Sequence, residues 1–263
     1  MTNLPAASPG DALRFAFGTL TVLPARLTRW DRAAARGGML AAPLVGAVVG
    51  LSAAACGGLL VALGAGPLLA AVGTVAVPAV LTRALHLDGL ADTADALGSG
   101  KEAEDALQIM KQSDIGPFGV VVLVFTLLAQ VASAAACYAH GWVYGGAAAV
   151  VSAVAARVAL LVACRRGVPA ARPGGLGAAV AGSVPRWAAL GSAALYAALA
   201  SAGGAGFGGL TPLRFGCAVL LATAAGDLLV RRCTRRLGGV TGDVFGAVTE
   251  SAATLAFLTL SLR

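Results

Sequence analysis

The chain has 263 residues, 58% of them hydrophobic and only 12% charged, with a mean hydropathy of +0.85. Soluble domains are charged at about one residue in four, so this composition excludes a water-soluble globule and indicates an integral membrane protein in contact with a lipid bilayer. The formal net charge of +7 does not signal nucleic acid: aromatic residues make up 5%, no basic–aromatic interleaving occurs, and basic flanks of membrane spans account for the excess.

Residues 1–37 carry five arginines, two acids and three prolines, without the compact apolar core and small-residue cleavage site of a secretory signal. The first span is therefore expected to direct insertion. Within this N-terminal interfacial segment, residues 11–23 read as a short helix ahead of Pro24, apolar but too short to cross. Seven apolar stretches follow, near residues 39–63, 67–85, 117–138, 145–164, 187–205, 213–230 and 244–262. Each is long enough, or nearly so, to cross about 30 Å of hydrocarbon as a helix. The expected fold is all-α, a polytopic membrane helical bundle of about seven transmembrane helices with short interfacial helices. It forms a single integral membrane domain over residues 1–263, with no internal repeat. The 36 glycines suit close helix–helix approach in lipid. Cys56, Cys137, Cys164, Cys217 and Cys233 are scattered without C-x-x-C spacing, so they read as small apolar residues.

Charge sets the orientation. Of the nineteen basic residues, all but Arg157, Arg214 and Arg263 fall in the N-terminal region or in the connections around 83–116, 165–186 and 231–236. The alternate connections at 64–66, 139–144 and 206–212 have none. The positive-inside rule makes the basic side cytoplasmic. The acidic residues lie on or near that same side, so the polar chemistry of this multi-pass cell-membrane protein is expected to face the cytoplasm.

The densest polar stretch is His86-Leu-Asp-Gly-Leu-Ala-Asp-Thr-Ala-Asp95, and seven of the twelve acids fall between Asp88 and Asp114. Acid this concentrated in an apolar chain is costly unless something cationic neutralises it. On a helix Asp88, Asp92 and Asp95 are spaced i, i+4, i+7 and share one face, where they repel one another. A hard divalent cation turns that repulsion into attraction, which predicts a Mg²⁺ site on Asp88, Asp92 and Asp95 in a catalytic loop over residues 86–116. A solvated acidic loop is the plainer alternative. His86 is a candidate general base, because imidazole titrates near neutral pH; a capping histidine is the alternative.

Two further stretches carry polar groups. In Lys111-Gln-Ser-Asp-Ile-Gly-Pro-Phe-Gly119, Gly and Pro end an amphipathic stretch and start the third span, and backbone amides near a helix N-terminus beside a lysine favour an anion. An ordinary turn would read the same way. In Arg235-Arg-Leu-Gly-Gly-Val-Thr-Gly-Asp243, Thr241 and Gly242 belong to a segment rich in exposed amides. Asp243 and Glu250 are seven apart and share a helix face. An acid within a span, as at Glu250, is a functional candidate by default, with pairing to Arg157 as the structural alternative. Asp227 is expected to pair locally with Arg231.

HLDGLADTAD, IMKQSDIGPFG and GGVTGDVFGAVTE, in this order and with LRFAFGTLTVLP and APLVGAVVG ahead of them, resemble the cobalamin synthase family over nearly the whole chain. The resemblance implies adenosylcobinamide-GDP ribazoletransferase activity: joining adenosylcobinamide-GDP to α-ribazole or its 5′-phosphate, releasing GMP and needing Mg²⁺. It matches Asp88, Asp92 and Asp95 to the family's aspartates, Lys111, Ser113 and Gly116 to its second motif, and Gly242 with Asp243 to its third. Catalysis would then rest on Asp92, with Asp95 or His86 orienting or deprotonating the acceptor hydroxyl, and Lys111, Ser113, Gly116, Thr241, Gly242, Asp243 and Glu250 binding substrate. The implied setting is an inner membrane, in association with other enzymes of cobalamin assembly.

A transferase of the CDP-alcohol type is the competing enzyme reading, but the acid that its motif needs before Asp88-Gly89 is missing. A transporter would spread its acids near mid-span in paired halves, and no such halves occur.

Overall fold

In a computed structural model that describes residues 7–262, the chain is helical throughout and none of these residues forms a strand. Helix α1 (Pro9–Leu20) starts at a capping box in which Ser8 and Asp11 satisfy each other's backbone amides. It precedes the long α2 (Arg32–Ala62), whose first turn is capped by Asp31. Then come α3 (Pro67–Leu81), α4 (Leu85–Gly98), α5 (Ala103–Ile109), α6 (Pro117–Ala139) and α7 (Trp142–Ala163). The short α8 (Gly175–Val180) leads to α9 (Arg186–Gly204), α10 (Thr211–Leu237) and α11 (Gly242–Ser261).

All seven expected spans form as helices. Six are long and apolar enough to cross a membrane alone, and α3 and α4 qualify as a seventh only when taken together. They are bent by 87°, so the pair is one broken segment rather than a straight span, and α4 leaves the direction of α3 to pack on α6 and α11. Arg83 and Ala84 make this bend in the left-handed region, at φ 52° and 55°. That conformation costs roughly 1–2 kcal/mol per non-glycine residue, so the packing of α4 must hold it in place.

Two expectations about extent need correction. Residues 86–116 are not one loop: α4 and α5 occupy most of them, because Leu, Ala and Asp at helical spacing give α4 a face to bury. The basic run at 231–236 is the last turns of α10 rather than a connection, since arginines extend a helix readily once it leaves the apolar zone. The local Asp227–Arg231 pair forms at 2.8 Å, and Arg165 joins it.

The core is built around α7, the most enclosed span. Its partner α2 approaches through small residues: a Cβ added at Gly46 would stand 2.6 Å from the Ala153 carbonyl oxygen. Such contact of bare backbones is how helices gain dispersion energy in lipid, where burial of apolar surface gives no advantage. Cys137, Cys164 and Cys233 are buried as small apolar residues, and all five cysteines are free.

Candidate active site

The polar site lies where α4 crosses α11, and two glycines set the distance. A Cβ at Gly89 would meet the Asp243 carbonyl oxygen at 2.6 Å, and one at Gly246 would meet the His86 carbonyl oxygen at 2.9 Å. The helices therefore touch backbone to backbone. This brings Asp88 and Asp92, one turn apart on α4, beside Asp243 in the first turn of α11. Asp88 is exposed, and Asp92 and Asp243 are half-buried.

Thr241 caps α11, its hydroxyl accepting from the Val244 amide and donating to Asp243 Oδ2 at 3.2 Å. On the far side Arg172 Nη1 is 3.8 Å from the same carboxylate oxygen. Arg172 is positioned by the backbone: the Ala171 amide donates to the Val240 carbonyl and the Val240 amide to the Pro169 carbonyl, each at 2.9 Å. Its Nη2 donates to the Leu107 carbonyl, while its Nε is buried without a partner. Arg172 was counted in the sequence only toward orientation; the signal that singles it out is its pairing across the fold.

Negative charge exceeds positive charge here. Partial burial, then repulsion from Asp88, Asp243 and Asp95, pushes the Asp92 carboxyl up to about 7, with Arg172 acting in the opposite direction. A half-buried carboxylate among like charges calls for a cation.

The expected trio of Asp88, Asp92 and Asp95 does not converge. Asp95 is 6% exposed, and its two oxygens accept from the backbone amides of Gly116, at 2.8 Å, and Gly119, at 2.9 Å. It thus caps the N-terminus of α6, and both partners are glycines because a side chain at either would collide with the carboxylate. Residues i and i+7 share a face but lie about 10 Å apart along the axis, so one stripe meets two different neighbours. The anion-binding end expected around Gly116 is therefore filled by the protein's own Asp95. Lys111 and Ser113 are exposed beyond it; the Lys111 amide donates to the Gln108 carbonyl, but among the described residues neither side chain makes a hydrogen bond or ion pair.

Glu250 also lies apart from the acid cluster. It borders an interior chamber of about 40 Å³ with His86, Gln130 and Arg157, and it accepts from Gln130 Nε2 at 2.9 Å. Arg157 and His86 are each 4% exposed, and Arg157 Nε has no hydrogen-bond partner. His86 lines two interior cavities, one shared with Arg157 and Glu250 and the other with Asp243. Gln130, overlooked in the sequence because it is a lone amide in an apolar span, is what Glu250 bonds to.

Among the described residues no three His, Cys, Asp or Glu side chains form a ready-made cation cage. Mg²⁺ seldom uses one; it sits on one or two carboxylates, keeps its waters and takes oxygens from substrate phosphates. Asp88 and Asp92, accessible hard-oxygen donors with charge to spare, fit that second arrangement, and Asp95 does not.

The bundle of apolar helices and its acidic, arginine-flanked cleft define the class: a multi-pass membrane protein with a polar site. Residues 12–261 match the family described as cobalamin-5-phosphate synthase. The chain belongs to this family. Similar proteins named adenosylcobinamide-GDP ribazoletransferase include one from Frankia casuarinae, 41% identical over 95% of this chain and 94% of its own length. Others are from Nocardioides sp., 40% identical over 96% and 99%, and Bradyrhizobium diazoefficiens, 36% identical over 91% and 88%. No solved structure matches.

Proposed function

We propose that this chain is an enzyme that joins adenosylcobinamide-GDP to α-ribazole, or to its 5′-phosphate, with release of GMP. Family membership over nearly the whole chain supports the reaction, and the convergence of Asp88, Asp92 and Asp243 beside Arg172 supports the place. A ribose hydroxyl of the acceptor attacks the phosphorus nearer the corrinoid. A new P–O bond forms, the bond to the bridging oxygen breaks, and GMP leaves. Asp88 and Asp92 would hold Mg²⁺, which when bound would neutralise charge on the diphosphate. Asp243, steadied by Thr241 and Arg172, orients the acceptor hydroxyl and takes its proton. Arg172, with its unpartnered Nε, is suited to a phosphate oxygen.

The basic flanks of the spans support a cytoplasmic site in the cell membrane. A cytoplasmic site would also suit association with other enzymes of cobalamin assembly. The CDP-alcohol and transporter readings draw no support from the relatives.

The test is GMP release by the purified protein in liposomes, given the activated corrinoid, ribazole and Mg²⁺. Wild type should release GMP and Asp92→Ala should not, while remaining folded in the membrane; normal turnover by the variant refutes the assignment.

A further inference from the structure

Beneath Asp243 lies a second compartment that the chemistry above does not use. It is a cavity of about 120 Å³ walled mostly by apolar side chains, among them Leu20, Met39, Leu160, Val180 and Phe245, with the buried His86 imidazole also on its wall. It shares Leu176, Gly242 and Asp243 with a polar cleft of about 190 Å³ that also contains Arg172 and Thr241. An apolar chamber and a polar one therefore meet at a single carboxylate.

We propose that the apolar cavity receives the benzo ring of the acceptor's benzimidazole base, with the ribose lying in the polar cleft. This rests on the functional reading above. Size supports it: an apolar protein cavity of about 150 Å³ takes up one benzene molecule, so this one suits a single six-membered ring. Chemistry separates the two bases in the reaction. Guanine carries donors or acceptors around most of its edge, and each left unpaired here would lose the hydrogen bonds it makes to water. The benzo edge carries only C–H and methyl groups and has nothing to leave unpaired. The corrinoid is far too large for the cavity and stays on the open side, with Asp88 and Asp92. Seating the ring below Asp243 puts the ribose against that carboxylate and Arg172, where a hydroxyl can face the activated phosphorus. Val180 and Met39 are thereby assigned as residues that select the acceptor.

The test compares steady-state constants for three acceptors: ribazole, the riboside of imidazole, which lacks the benzo ring, and the riboside of a naphthimidazole, which extends it. Val180→Phe, which fills the cavity, should raise KM for ribazole at least tenfold. It should change KM for imidazole riboside and for the activated corrinoid less than threefold. Met39→Ala enlarges the cavity and keeps the test decisive if the filled variant fails to insert; it should improve use of the naphthimidazole riboside relative to ribazole at least fivefold. Unchanged acceptor preference in Met39→Ala, or a corrinoid KM that rises in Val180→Phe while the ribazole KM does not, overturns the proposal. Wild type that releases no GMP with any acceptor overturns the functional reading and this inference with it. Wild type that releases GMP while neither variant shows the shifts above overturns the cavity alone.

Discussion

Gly89 of α4 rests against the backbone of Asp243, 154 residues later in the chain, so closely that a Cβ would lie 2.6 Å from the Asp243 carbonyl oxygen and 2.8 Å from its Cα. Neither atom is the tip of a flexible side chain, so a methyl group here must move a helix. Gly89→Ala should separate Asp92 from Asp243 and lower kcat at least tenfold, with a stability loss of about 1–3 kcal/mol. Gly191→Ala, where a Cβ meets nothing within 4 Å, is the matched control and should retain full activity. Turnover rates and melting curves in detergent decide it, and equal activity of the two variants would contradict the crossing.

Asp92 should make the proposed metal binding depend on pH. Its carboxyl, raised to about 7 by burial and by Asp88, Asp243 and Asp95, must lose its proton to ligate a cation. Below that value the proton competes, so apparent Mg²⁺ affinity should fall up to tenfold for each unit as pH drops from 7 to 6 and on to 5. Above about 8 it should level off. Titration of Mn²⁺, monitored by electron paramagnetic resonance, measures this directly, and a flat profile between 5 and 8 would rule it out.

Asp95→Asn distinguishes a structural anchor from a ligand. The charged carboxylate accepts two backbone amides at the start of α6, and bonds to charged groups are each worth about 1.5–3 kcal/mol. The variant should melt at lower temperature yet bind Mn²⁺ with wild-type affinity. Loss of metal affinity at unchanged stability would return Asp95 to the metal site.

Arg172 bridges the loop before α8 to the Asp243 carboxylate and to the Leu107 carbonyl. Arg172→Ala should raise KM for the phosphate-bearing substrate about tenfold, and Arg172→Lys should recover only part of it, because a point charge cannot reach both partners. Full rescue by lysine would show that charge alone matters.

Much of the architecture was legible because lipid imposes it. A helix must satisfy its own backbone within the bilayer, so apolar length alone marks the spans, and the seven expected segments correspond to α2, α3, α6, α7, α9, α10 and α11. The 11–23 stretch announced α1 in the same way. The acid stripe on α4 was equally readable, since 3.6 residues per turn is a local property. The bend at Arg83 and Ala84 was not, because nothing in their composition favours left-handed backbone, and the packing of α4 on α11 and α6 holds it there.

Composition and periodicity alone decided that this chain lives in a membrane, which residues share a helix face, and which end of the bundle is polar, since all three follow from forces acting within a few turns. Which acids meet was settled in three dimensions. Asp95 left the stripe for the amides of Gly116 and Gly119, and Asp243 and Arg172 arrived from distant segments to take its place beside Asp92. A carboxylate's partner depends on which backbones can approach it, and here that is governed by glycines on separate helices whose pairing no local pattern encodes.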